Sequence, residues 1–190
     1  MIKSAGFYDV NAGDVIVAPP AVAHGVFHQT VILLGQHNQE GTQGWVMNRA
    51  TGHGVSEIIK ELNIELDQDI PLYWGGPVSP QTVWMLHSTD WALGNTREIN
   101  SEWAVTSNEQ MFHHIANGDE PSYYRVFMGY SGWVEGQLQE ELMGEPPRKQ
   151  SHSWLILRDP DTRWLIDRDP TELWTEAVSQ SVQQSVDKVL

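Results

Sequence analysis

Apolar residues in this chain fall in short blocks separated by turn chemistry. Residues 14–18 (DVIVA) and 30–35 (TVILLG) are β-branched and continuously apolar, which predicts two strands. Gln43-Gly44-Trp45-Val46-Met47-Asn48 predicts a third, and His37 to Gly41 supplies turn residues, so the second and third strands form a hairpin. Further strands are predicted at Leu72-Tyr73-Trp74, Thr82–His87, Glu102–Thr106, Tyr123–Gly129, Trp154–Leu157 and Arg163–Ile166, with Asp159 to Thr162 as the turn between the last two.

Helical spacing interrupts this pattern four times. Val55, Ile58, Ile59 and Leu62 define a short helix that Asn63 stops. Ser107 to Gln110 has the form of a capping box for a helix through Met111, Phe112 and Ile115, ending near Gly118. Val134, Leu138 and Leu142 recur every four residues, which predicts a helix over 132–143 ended by Gly144 and Pro146-Pro147. Asp169, Pro170 and Glu172 open a last helix with an apolar stripe of Trp174, Val178, Val182 and Val186. Strands joined by hairpins, with helices interspersed and no strict strand–helix alternation, predict an α+β domain with a mixed or antiparallel sheet.

At 190 residues, 40% of them hydrophobic, one domain over 1–190 is expected, with residues 1–12 and 187–190 loosely ordered. The formal net charge of −14 repels phosphate, so direct nucleic-acid binding is disfavoured, and neutral, cationic or protein partners are favoured. Lys and Arg are scattered, and clusters such as Arg148-Lys149 are short. The absence of cysteine excludes disulfides, thiol catalysis and thiolate metal sites, and fits a cytoplasmic location. The N-terminal residues lack a signal-peptide core, and no apolar run is long enough to span a bilayer.

Candidate chemistry centres on Gly129-Tyr130-Ser131-Gly132-Trp133. A nucleophile elbow reads G-x-S-x-G, and Trp133 stands where the second Gly belongs. Ser131 is therefore expected to cap the following helix rather than to attack a substrate, with a serine hydrolase as the alternative. The helix N-terminus beside those glycines is also a place for a small anion. Gly75-Gly76-Pro77 lacks the Lys and spacing of a P-loop and reads as a turn. Asn48-Arg49 offers either a turn network or a guanidinium fork for a carboxylate or phosphate. His24 and His28, adjacent His113-His114, adjacent Glu140-Glu141 and the acids between Asp159 and Asp169 lack metal-site spacing, so no metal and no cofactor is expected.

Three of these motifs together resemble the AlgH/YqgE-like family: Gly44-Trp45-Val46-Met47-Asn48-Arg49, Trp74-Gly75-Gly76-Pro77-Val78, and Gly129 to Trp133 followed by Gly136-Gln137-Leu138 and Glu141. Their order and spacing match from about residue 13 to about residue 180. The resemblance implies a bifurcated sheet folded into a pseudo-barrel with flanking helices, and a bacterial-type cytosolic protein. The family's frequent label is transcriptional regulator, yet this chain has no helix-turn-helix or basic recognition helix. It departs from the family pattern at Ala50, where Pro is usual, and at His24-Gly25, where an Asp-Pro pair usually precedes the Phe; residues 145–153 match loosely.

The expected function is therefore binding or regulation without catalysis, acting indirectly through a protein or a small polar ligand. The candidate surface joins Asn48, Arg49, Gly75, Gly76, Pro77, Tyr130, Ser131, Trp133 and Gln137, whose glycine-exposed backbone, aromatics and single Arg suit such a partner.

Overall fold

The computed structural model describes residues 9–144 and 154–187. The Pro146-Pro147 stop, the Arg148-Lys149 pair and most of the terminal stretches expected to be loose lie outside the described residues. Ten strands, β1 (Val15–Val17), β2 (Val31–Asn38), β3 (Gly41–Val46), β4 (Ala50–Gly54), β5 (Pro71–Trp74), β6 (Val78–Ser88), β7 (Arg97–Glu98), β8 (Trp103–Thr106), β9 (Tyr124–Trp133) and β10 (Leu155–Leu157), are found among them. Five helices accompany them: α1 (Val55–Ile58, continued by a 3-10 turn), α2 (Gln110–Ala116), α3 (Gln137–Met143), α4 (Thr162–Asp167) and α5 (Pro170–Asp187).

The strand order β10-β1-β2-β3-β9-β6-β8-β7 makes a curled, mainly antiparallel half-barrel. It branches at β9. Val126 to Met128 lie parallel to Leu72 to Trp74 of β5, the same segment pairs with β6, and Ser131 to Trp133 pair with Thr42 to Gly44 of β3. This is the mixed sheet expected of an α+β chain, with the bifurcation that the family resemblance implied. The β2–β3 hairpin forms with a tip at Gln39-Glu40, so both strands run further than their apolar blocks.

The unbroken apolar runs of β1 and β2 follow from burial on both faces. Val15, Val17, Val31 and Leu33 enter a core with Trp45, Phe127, Leu165 and Leu173. Ile16, Ile32 and Leu34 enter a second core with Val46, Trp133, Leu138 and Leu142. A third core, around Leu72, Met85, Phe112 and Val126, lies under α1 and α2. Val10 is also buried, in the second core.

Four local expectations are corrected. Residues 163–166 are helical, because four residues with Trp164 and Ile166 two apart cannot separate strand from helix, and Asp161 accepts the Arg163 amide at 2.9 Å to start a helix. Arg125, buried, donates to the Leu165 and Ile166 carbonyls at that helix's end and to the Met47 carbonyl, and lies 4.3 Å over the Tyr73 ring. Helix α2 starts at Gln110, whose amide donates to Asn108 Oδ1 at 3.0 Å; Ser107 makes no cap. On α5 the buried residues are Leu173, Ala177 and Ser181, while Val182 and Val186 are exposed. Small residues let the helix lie close on β1 and β10, so the stripe runs one position from the large apolar residues. The predicted helix over 132–143 begins only at Gln137, and Val134 is exposed.

Candidate functional site

The Gly129 to Trp133 motif is not the strand-to-helix turn that a capping Ser131 would require. Ser131 lies inside β9, fully buried, and its hydroxyl donates to the Gly75 carbonyl at 3.1 Å. It caps no helix: α3 starts after Gly136, which takes a left-handed φ of 74° and supplies no side-chain cap. A hydroxyl sealed from solvent and committed to a backbone carbonyl cannot act as a nucleophile, so the hydrolase alternative falls.

Gly75, Gly76 and Ser131 instead form the crossing where three strands meet. The Gly75 carbonyl also accepts the Val46 amide of β3 at 3.0 Å, and the Gly75 amide donates to the Met128 carbonyl of β9 at 2.8 Å. A Cβ on Gly75 would stand 2.3 Å from the Gly129 carbonyl oxygen, and one on Gly76 would stand 2.2 Å from the Tyr130 carbonyl carbon. The glycines are required by backbone-to-backbone packing, not by a ligand.

Asn48 and Arg49 hold a loop. Asn48 accepts the Val31 amide at 2.9 Å and donates to the Gln29 carbonyl at 2.8 Å. Arg49 donates to the carbonyls of Val26 and His28 and stacks 4.9 Å over the Trp74 ring. Partial burial lowers its pKa from the ordinary arginine value. The fork is thus spent on the 19–29 loop, the turn-network reading of this pair.

That loop is one wall of a pocket of 640 Å³. Pro19, Ala21, Val22, Ala23, Val26 and Phe27 face Trp133, Trp154, Pro77 and Gln137 across it. Phe27 stacks on Trp133 at 6.2 Å and meets Trp154 edge-on at 5.6 Å. One carboxylate organises the far wall. Glu141 Oε2 accepts the indole N–H groups of Trp133 and Trp154, each at 3.0 Å, and Oε1 accepts Gln137 Nε2 at 2.9 Å. Trp133 therefore anchors α3 to β9 while it shapes the cavity. Val26, which lines the pocket, and Met143, one residue before its lining Gly144, are among the few large apolar side chains left exposed.

Tyr130 lines a second, shallower cleft of 450 Å³ with Gln36, Gln43, Val78 and Glu40; the two depressions share Gly132, Trp133 and Gln137. Of the nine candidate residues, Pro77, Trp133 and Gln137 border the pocket, and Tyr130 borders the adjoining cleft. Asn48, Arg49, Gly75, Gly76 and Ser131 act as the frame beneath and behind. Sequence reasoning missed Phe27, Trp154, Glu141 as a ligand of two indoles, and the loop itself. The available signal was apolar: Ala21, Val22, Ala23 and Val26 sit in a connection that should be polar if it only faced water. Among the described residues no group of three or more His, Asp or Glu is placed to hold a metal ion.

A model of the AlgH-like family matches residues 15–185. The chain belongs to the AlgH-like family. It is 28% identical over 176 residues to a UPF0301 protein of Shewanella denitrificans, covering 90% of this chain and 91% of that one. A UPF0301 protein of Methylococcus capsulatus is 29% identical over 148 residues, 76% of this chain and 75% of the relative. The solution structure of the AlgH protein from Pseudomonas aeruginosa superposes with a TM-score of 0.75 at 30% identity, over 95% of this chain and 92% of that one. A crystal structure of a Corynebacterium diphtheriae protein, TM-score 0.64 at 21% identity over 88% and 85% of the two chains, shares the fold. In this AlgH-like chain the three motifs meet at the strand crossing and at the pocket it supports. No helix among the described residues is long and apolar enough to cross a membrane.

Proposed function

We propose that this AlgH-like protein is a non-catalytic binding protein whose ligand seats an apolar group in the 640 Å³ pocket between the 19–29 loop and the β9–α3 corner. The observation that carries this reading is the wall chemistry: three aromatic rings in mutual contact and small aliphatic side chains, with a few polar groups fixed by internal bonds. Such a surface favours an apolar occupant over the small polar ligand that the sequence suggested. A regulatory role follows if the occupied pocket is what a protein partner recognises. The net charge of −14 argues against direct DNA contact, and the cysteine-free chain suits the cytoplasm.

The test uses the fluorescent apolar probe 1-anilinonaphthalene-8-sulfonate at neutral pH. Saturable binding to the wild type, with quenching of tryptophan emission, is expected. Ala23→Trp, at an exposed lining position, fills the cavity and should abolish binding without lowering Tm. Equal binding by both proteins would overturn the assignment of the pocket.

A further inference from the structure

The loop wall of the pocket shows apolar side chains to solvent and is built to keep them there. Ala21, Ala23 and Val26 line the pocket and are exposed, Val26 at 49%. Apolar residues grouped at the surface around a cavity mark a contact with another molecule. The loop is held from behind at its C-terminal end: Arg49 donates to the Val26 and His28 carbonyls, and Asn48 donates to the Gln29 carbonyl. Gln29 takes a φ of 52°, in the left-handed region that a residue other than glycine adopts only at a cost. A loop fixed in this shape lowers the ordering cost for whatever covers it.

The charge on the opposite wall is of one sign. From Val126 to Gly144 the chain has no Lys, Arg or His, and it carries Glu135, Glu140 and Glu141. Gln137, Glu141 and Gly144 line the pocket, so one stripe of α3 faces it. Glu140 lies one helical turn from both Gln137 and Gly144, beside that stripe, and is exposed; Glu135 is exposed in the turn before the helix. Glu141 holds the two indoles, and Glu135 and Glu140 carry the negative charge out over the rim. Among the described residues no Lys or Arg lines the pocket, and the Arg49 guanidinium is spent behind the loop.

We infer that the pocket takes an apolar anchor from a basic segment of a partner protein, whose Lys or Arg side chains lie against Glu135 and Glu140. This rests on the pocket reading above and adds the chemistry of the partner. An acidic segment with the same anchor is repelled by α3 and by the net charge of −14. A basic segment without an anchor meets the acidic surface at large and has nothing to bury. The pocket therefore supplies affinity and position, and the acidic rim selects the sign of the partner.

Three peptides of equal length test the assignment by tryptophan fluorescence and calorimetry: Leu and Lys in amphipathic order, Leu and Glu in that order, and Ser and Lys in that order. The Leu/Lys peptide should bind the wild type about tenfold more tightly than either of the others. Ala23→Trp keeps the net charge and fills the cavity, so it should bring the Leu/Lys peptide down to the Ser/Lys level. Glu135→Gln with Glu140→Gln, at two exposed positions, should weaken the Leu/Lys peptide a few-fold without weakening 1-anilinonaphthalene-8-sulfonate. No binding of the Leu/Lys peptide, or equal affinity for it and either of the others, would overturn the basic anchored partner. Probe binding that Ala23→Trp still abolishes would in that case leave the pocket to a small apolar molecule. Equal binding of both the probe and the Leu/Lys peptide by wild type and Ala23→Trp would overturn the pocket reading and this one with it.

Discussion

The hydroxyl of Ser131 and the carbonyl of Gly75 meet at 3.1 Å at the point where β9 passes from its contacts with β5 and β6 to its pairing with β3. The same carbonyl takes the Val46 amide, so one oxygen ties three strands together. Ser131→Ala removes one of its two bonds and should cost about 1 kcal/mol, a Tm loss of a few degrees for a chain of this size. Gly75→Ala is a different perturbation, since the new Cβ would collide with the Gly129 carbonyl. It should cost about 3 kcal/mol or more. Thermal unfolding of the two variants separates a lost bond from a broken crossing. A Ser131→Ala protein that lost ligand binding while keeping its Tm would contradict the structural role given to this residue.

Arg49 controls the loop wall from outside the pocket. Replacing it with Ala removes two bonds to loop carbonyls and the stack on Trp74. The group is half-buried, so about 1–2 kcal/mol is expected after allowing for solvent. Arg49→Lys should do nearly as badly, because an ammonium cannot reproduce the planar fork over both carbonyls and the ring. Hydrogen exchange should locate the damage: the His28 and Thr30 amides, which bond within the loop, should lose protection while β1 keeps its own. Uniform loss of protection across the sheet would show that Arg49 supports the whole fold rather than the loop.

Glu141 is the acceptor for both pocket tryptophans, so its removal should be visible in their spectra. Glu141→Ala leaves the Trp133 and Trp154 indole groups without this partner and frees Gln137 from its 2.9 Å bond. The carboxylate is partly solvent-exposed, and about 2 kcal/mol is expected. Emission should shift as water replaces the carboxylate beside the indoles, and probe affinity should fall because the far wall is no longer fixed. Unchanged emission together with unchanged affinity would mean that the rings hold their places by packing alone.

The sheet was readable in the chain wherever a strand carries its own pattern. Val15 to Val17 and Val31 to Leu34 are apolar at every position because two cores flank them, and density alone marks them as buried strands. β4 was invisible: Ala50 to Gly54 has two glycines and no large apolar residue, and it exists because it pairs with β5. The Gly129 to Trp133 motif misled for a related reason. Its glycines read as a turn, but they serve close approach between backbones, and a contact 56 residues away along the chain has no local signature. The site was legible only as fragments. Trp133 and Gln137 were named from their motif, whereas Phe27 and Trp154 join them only after the sheet has curled.

His87 gives the fold a pH dependence with a definite sign. It is fully buried on β6, its Nδ1 lies 2.9 Å from the Ser88 carbonyl, its Nε2 has no partner among the described residues, and its ring meets Trp91 edge-on. Burial lowers its pKa below the ordinary histidine value; the bond to the Ser88 carbonyl and the charge of Asp90 oppose this more weakly. The folded chain therefore takes up this proton at lower pH than the unfolded chain does. Above pH about 6.5 both states are neutral here and the group contributes no slope. As pH falls below that value the unfolded state binds the proton first, and stability drops by up to about 1.4 kcal/mol per pH unit until the folded pKa is reached. His87→Phe removes the titration and keeps an aromatic ring against Trp91. Urea unfolding at pH 7.5, 6.5 and 5.5 should show the wild type losing stability relative to His87→Phe as the pH falls. Parallel profiles would show that His87 does not contribute to the acid limb.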